Sequence, residues 1–249
     1  MSKKKKSNSN QTFAISVFVG IVVLVGALFL VSKLQDKKTE EVYPTIAGVN
    51  QVKVDGFDTK DQPTFNNNDA KVEVVEFGDY KCPICAQWNK VVFPKLKADY
   101  IDNGLINFSF INYPFISKDS NLAALASEVV YKTHKDSFWK FQEQIYLKQE
   151  DETTTWATPD KLASIAKSVI PNLDEKQFKK DLYKKDAMKQ VANDVAIANH
   201  YGVNGTPTIF VNGKAVDNPS LESIKAAIDA EINKLLKKVC GSIRIPFFV

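Results

Sequence analysis

Nineteen consecutive residues, Phe13 to Val31, carry no charge, and Lys3, Lys4, Lys5 and Lys6 stand just ahead of them. As a helix rising ~1.5 Å per residue, this run reaches about 28 Å, close to the ~30 Å hydrocarbon core of a bilayer. A secretory signal also pairs basic residues with an apolar run, and a core helix is the third possibility. The run is long for a signal, and Ser32-Lys33-Leu34 offers no small-x-small cleavage site. We therefore read residues 13–31 as an uncleaved single-pass anchor in the cell membrane. Lysines stay on the cytoplasmic side, so residues 1–12 form a cytoplasmic basic stub and the rest of the chain lies outside the cytoplasm. Disulfides form and persist there.

Of 249 residues, 44% are hydrophobic and 25% charged, which excludes a disordered or fibrous chain. No fixed-period repeat points to a solenoid or propeller. The net charge of +4 is that of the four leading lysines; without them, 29 basic residues face 29 acidic ones. A nucleic-acid binder concentrates its basic residues on the folded part, so nucleic acid is excluded as a partner. Three cysteines are too few for a disulfide-stapled scaffold, and two histidines leave few metal ligands.

Beyond the anchor, residues 32–61 read as an extracytoplasmic linker, with a polar tether over Gln35 to Asn50 and a short strand signal at Val52 and Val54. Lys71 to Phe77 is β-branched and bounded by turn residues, the pattern of a strand. Cys82 to Ile101 reads as a helix with Trp88, Val91, Val92 and Leu96 on its apolar face and a kink at Pro94. Leu105 to Tyr113 predicts a second strand. From Ser117 to Tyr201 the apolar spacing is helical throughout, with Thr158-Pro159 as one helix start. Leu122, Leu125 and Val129 form one such stripe and Phe138, Phe141 and Ile145 another; packing accounts for them. Thr208 to Val211 and Lys214 to Val216 pair across an Asn212-Gly213 turn. Asn218-Pro219 or Ser220 caps a last helix carrying Ile224, Ile228 and Leu235. The order is that of an α/β fold, residues 62–116 and 202–239, interrupted by an all-helical insertion at 117–201. Residues 240–249 form a tail of unassigned role, with Cys240 just past the helix.

Cys82-Pro83-Ile84-Cys85 sits where the first strand hands over to a helix. Free N–H groups and the dipole at a helix N-terminus favour an anion, so a Cys82 thiolate is stabilised there. Stabilising the thiolate favours the dithiol over the disulfide and makes the pair an oxidant of other thiols. Cys85, one turn on, is placed to resolve. The pair also fits half of a zinc site or two inert helix cysteines. Zinc needs two more clustered ligands, and only Cys240, His134 and His200 remain, scattered. An exposed pair outside the cytoplasm would close into a disulfide even without catalytic work.

Glu76 through Trp88 (Glu-Phe-Gly-Asp-Tyr-Lys-Cys-Pro-Ile-Cys-Ala-Gln-Trp) and Gly205 through Gly213, with Asn112-Tyr113-Pro114 and Phe138-Trp139 in the helical block, resemble the DsbA-like thioredoxin-fold thiol-disulfide oxidoreductases. The likeness is greatest to their membrane-anchored Gram-positive branch, the BdbD type, and covers about Gln62 to Lys238. It implies a thioredoxin fold around the insertion, with Cys82 as attacking and Cys85 as resolving thiol. It implies that Pro207 is cis and faces the cysteines, and that Thr206 offers its backbone to an extended substrate. Glu76 would be the buried acid behind Cys85; otherwise it is a solvent-facing residue of an edge strand. Gly205-Thr206-Pro207 read alone is a loop turn. The redox-active disulfide Cys82–Cys85 would be the only redox group, with no separate cofactor and no metal. The resemblance further implies reduced secreted or surface proteins as substrates and a quinone-linked membrane oxidase for reoxidation. Family members that oxidise strongly carry histidine between the cysteines; Ile84 stands there instead. The favoured reading is a disulfide-introducing oxidase. A reductase or isomerase on the same scaffold is the alternative, although no dimerisation module precedes Lys71. A non-catalytic peptide-binding chaperone is the third reading.

Overall fold

The computed structural model of the chain describes residues 9–46, 54, 56–57, 59–65 and 69–242. It separates into two compact units, Met1–Tyr43 and Pro44–Val249. The first holds one helix, α1 (Ser9–Val42), in which Ile15–Leu34 is long and apolar enough to cross a membrane. Its large apolar side chains from Phe13 to Leu34 are exposed, as a lipid-facing helix requires. The helix overruns the expected tether by several residues. Ser32 to Glu41 contains Lys, Leu, Gln and Glu but no glycine or proline, so nothing interrupts it before Pro44. Val52 of the expected linker strand lies outside the described residues, and Val54 is not in a strand.

In the second unit the elements run β1 (Thr64–Phe65), β2 (Val72–Gly78), α2 (Pro83–Val91), α3 (Phe93–Leu96) and a π turn at Lys97–Ile101, β3 (Ile106–Asn112), and α4 (Lys118–Thr133). They continue with a 3-10 turn at Lys135–Ser137, α5 (Phe138–Leu147), α6 (Pro159–Val169), α7 (Glu175–Asp181), α8 (Lys185–His200), β4 (Thr208–Val211), β5 (Lys214–Ala215) and α9 (Leu221–Ser242). The sheet order is β1-β3-β2-β4-β5. Strands β2 and β3 are parallel, joined through α2 and α3, while β1, β4 and β5 add antiparallel neighbours. This is the thioredoxin fold, with α4 to α8 interposed between β3 and β4.

Side chains alternate along β2. Val72 and Val74 pack with Trp88, Leu96, Phe108, Ile209, Ile224 and Ile228 on one face. Val75 and Phe77 pack with Ile111, Ile197, Val203 and Phe210 on the other. Glu76 is in phase with Val72 and Val74, so the pleat turns it toward α2. At the hairpin, Asn212 and Gly213 have φ of 45° and 76°, the conformation a two-residue turn demands. Ser220 Oγ accepts from Ser223 N at 3.2 Å and caps α9.

Three further expectations need correction, and one short strand had no forerunner in the sequence pattern. The helix from Cys82 breaks at Val92, two residues before Pro94, and Val91 faces solvent while Val92 turns inward. Residues 148–158 form a loop inside the block expected to be helical throughout. A two-residue strand, β1, pairs Thr64 with Ser109. Cys240 falls within α9 rather than after it.

Candidate active site

Strand β2 ends at Gly78, and four residues later Cys82 caps α2 with Pro83 at the first helical position. Cys82 Sγ accepts the Cys85 N–H at 3.4 Å and lies 3.2 Å from the Thr206 carbonyl, to which its thiol donates. The Thr206–Pro207 bond is cis. The helix mouth and the proline loop thus meet at one sulfur. Both cysteines are free thiols. The pair is not exposed: Cys82 keeps 5% of its surface and Cys85 none, so only Cys82 offers an edge to an incoming thiol. Its approach is rimmed by exposed Pro83 and by Ile84, which is 63% exposed.

The Cys82 pKa is lowered from 9.0 to about 6. A hydrogen bond from the Cys85 thiol contributes most; burial opposes it, and the nearby Thr206 side chain with the N–H groups of Cys85 and Ile84 adds to it. At pH 7 a thiol of that pKa is about nine-tenths thiolate. Burial drives Cys85 the opposite way, well above 9.0, reinforced by Cys82 and Glu76. Two thiols one turn apart are therefore polarised into a nucleophile or leaving group and a protonated partner.

Glu76 is 1% exposed, paired in register with Phe110 and Ile209 in the middle of the sheet. The solvent-facing edge position is thereby excluded. Burial, then the Cys82 charge, raise its pKa from 4.5 to about 8. A carboxyl of that pKa can give or take a proton near neutrality.

Sequence reasoning left the clamp that holds this loop unrecognised. Asp79 accepts Lys81 N at 2.8 Å, Phe115 N at 3.0 Å and Ile116 N at 3.1 Å. Lys81 is a fully buried cation, bound to Asp119 at 2.7 Å and to the Thr154 carbonyl at 2.6 Å. Asp119 in turn accepts from Trp156 N and Ala157 N, each at 3.0 Å. Gln149 Nε2 donates to the carbonyls of Tyr80 and Cys82 at 2.8 and 3.0 Å. The helical insertion thus holds Asp79 to Cys82 from one side. A lysine before a cysteine carries no local mark of such burial. His134 and His200 lie at the ends of α4 and α8, outside the site. Among the described residues no group of three His, Cys, Asp or Glu could hold a metal ion.

Comparison with known proteins places the chain among thioredoxin-like proteins. A family profile described as thioredoxin matches residues 58–230. Probable disulfide bond formation protein D of Bacillus cereus is 41% identical over 229 residues, covering 92% of this chain and 100% of that protein. Disulfide bond formation protein D of Bacillus subtilis is 40% identical over 198 residues, covering 79% and 86%. Among solved structures, oxidised BdbD from Bacillus subtilis superposes with a TM-score of 0.67 at 43% identity, covering 70% of this chain and 95% of that one. Chlamydia trachomatis DsbA shares the fold, with a TM-score of 0.65 at 21% identity over 75% of this chain and 97% of its own.

Proposed function

The chain belongs to the thioredoxin-fold family of protein-disulfide oxidoreductases that includes disulfide bond formation protein D, and from that premise we propose that it is an oxidase introducing disulfides into proteins outside the cytoplasm. The observation that carries the direction is the Cys82 sulfur, held at the α2 N-terminus with its pKa at about 6. Stabilising this thiolate stabilises the reduced pair. At pH 7, lowering the pKa from 9.0 to about 6 favours the dithiol about tenfold, about 1.4 kcal/mol or ~30 mV for a two-electron couple, before solvent screening.

In the oxidised protein a substrate thiolate attacks Cys82 Sγ of the Cys82–Cys85 disulfide. A mixed disulfide forms, and Cys85 leaves as a thiolate that takes the Glu76 proton. A second substrate thiolate then attacks the substrate sulfur, and Cys82 departs as a stable thiolate. The substrate loses two electrons and the pair gains them. Thr206 presents its backbone to the extended substrate, and Pro207, lacking an N–H, leaves that edge free of competition. The reduced pair passes its electrons to a quinone-linked membrane oxidase. The membrane helix keeps the domain beside that partner, with the N-terminal lysines on the cytoplasmic side.

Equilibration of Cys82–Cys85 against a glutathione buffer tests the direction. An oxidase shows a potential well above the roughly −270 mV of thioredoxin, whereas a value near or below it assigns the site to reduction. Capture of substrates as mixed disulfides on a Cys85→Ser variant, lost when Cys82→Ser is added, supports turnover over non-catalytic peptide binding.

A further inference from the structure

Behind the two thiols lies a set of buried polar groups, of which this exchange uses only Glu76. Tyr80 OH, Gln142 Nε2 and Tyr146 OH have no hydrogen-bond partner within the protein, and neither has Glu76 Oε1. These four residues are at most 4% exposed. Leaving such an atom unsatisfied is costly, so groups of this kind are ordinarily bridged by ordered water.

Tyr146 is the member that links this set to the strand. Gly78 follows Glu76 by two residues on β2 and so shares its face. A Cβ built at Gly78 would meet the Tyr146 hydroxyl at 3.0 Å and the Phe110 ring at 2.5 Å, so only glycine lets that hydroxyl approach the strand. The rings of Tyr80 and Tyr146 are 5.1 Å apart. Gln142 precedes Tyr146 by one turn of α5. Tyr146 feels Cys85, Glu76, Tyr80 and Asp79 electrostatically, although burial is the largest cause of its raised pKa. Burial is likewise the largest cause for Glu76, which also feels Cys82, and for Tyr80, whose hydroxyl sits beside Ser127 and feels Glu128, Glu76 and Asp194. Tyr146 also walls a groove of about 330 Å³ between α2 and α5, beside Pro83, Ala86, Gln87, Glu143 and Leu147. Tyr146 therefore keeps its hydroxyl buried against the strand while the residue itself walls the groove.

We propose that Tyr146, with Gln142, Tyr80 and bridging water, carries protons between Glu76 and the α2–α5 groove. The inference rests on the reading of Glu76 as proton partner of Cys85. When the pair closes, the Cys85 thiol gives its proton to the Glu76 carboxylate and its sulfur attacks Cys82 of a mixed disulfide, expelling the other thiolate. Glu76 then returns the proton to solvent along the relay. When the pair opens, the same atoms pass a proton inward. Tyr146 acts through Glu76 and is a positioning residue, not a catalytic one.

The test is ring closure of the reduced full-length protein with oxidised glutathione, followed by stopped flow against pH and imidazole concentration. Tyr146→Phe keeps the ring and removes the hydroxyl. The relay requires closure at pH 7 to slow about tenfold, less than the ~100-fold at which a direct general acid begins. It also requires imidazole to restore the rate in the variant and to leave the wild type unaffected. An unchanged rate overturns the proposal, and so does a loss that imidazole does not restore. Gln142→Met provides a second variant with the same expected signature should Tyr146→Phe fold poorly. Glu76→Gln separates the two readings. If it leaves closure unchanged, the assignment of Glu76 itself fails; if it slows closure while Tyr146→Phe and Gln142→Met do not, only the relay fails.

Discussion

Replacing Glu76 by glutamine should make the protein more stable at neutral and alkaline pH while impairing its chemistry. The carboxyl is buried in mid-sheet and its pKa rises from 4.5 to about 8, mainly through burial and then through the Cys82 charge. An acid whose folded pKa is raised binds its proton more tightly when folded. Its cost is absent below the ordinary pKa of 4.5, grows as pH rises, and is complete above 8. Linkage puts that cost at about 3 kcal/mol at pH 7 and about 5 kcal/mol at pH 9, as upper values. Glutamine removes the charge but adds a buried amide lacking an acceptor, at about 1 kcal/mol. The expected balance is a gain of about 2 kcal/mol at pH 7, about 4 at pH 9 and a loss of about 1 at pH 4. Urea unfolding of the reduced full-length protein in detergent reads this directly. With a slope of ~2 kcal/mol/M, the midpoint moves up by about 1 M at pH 7. A difference that is the same at all three pH values refutes the reasoning, because it would mean that the carboxyl titrates alike in the folded and unfolded chain.

Three further outcomes follow from the same geometry. Ile84→His places a cation beside the Cys82 thiolate and should lower its pKa by about one unit, favouring the reduced pair about tenfold, or ~30 mV, in a glutathione equilibrium. Lys81→Met leaves the Asp119 charge buried without its cation and should cost about 3–5 kcal/mol in urea unfolding, with Lys81→Met/Asp119→Asn recovering part of it. Gly78→Ala drives a methyl into the Phe110 ring and the Tyr146 hydroxyl and should destabilise by about 1–3 kcal/mol, read in the same assay.

What could be read from the sequence was whatever local chemistry dictates. The cysteine at a strand-to-helix handover, Pro83 in the first turn and the Asn212-Gly213 hairpin each depend on neighbours along the chain. The stripes of Leu122 and Leu125 and of Phe138, Phe141 and Ile145 carried the helical insertion, and all five side chains are fully buried. The run from Phe13 gave the membrane-length helix, but its continuation to Val42 depended on propensity in a charged stretch that reads equally as a tether. The site beyond the cysteines was less legible because its members are distant in sequence. Lys81 meets Asp119, 38 residues away, and Gln149 reaches back 67 residues to Cys82. A buried lysine and an exposed one look alike until the chain is folded around them. Tyr146 is marked only by Gly78 beneath its hydroxyl, a contact that exists once α5 has packed on the sheet.

Thiol exchange in this protein turns on the charge of one sulfur. The rate of iodoacetamide alkylation of Cys82 in the reduced wild-type protein, measured from pH 4 to 10, tests it most directly. Cys85, buried and with its pKa well above 9.0, stays silent over most of that range. The expected profile rises with a midpoint at about 6. A midpoint near 9.0, that of an ordinary thiol, would contradict it.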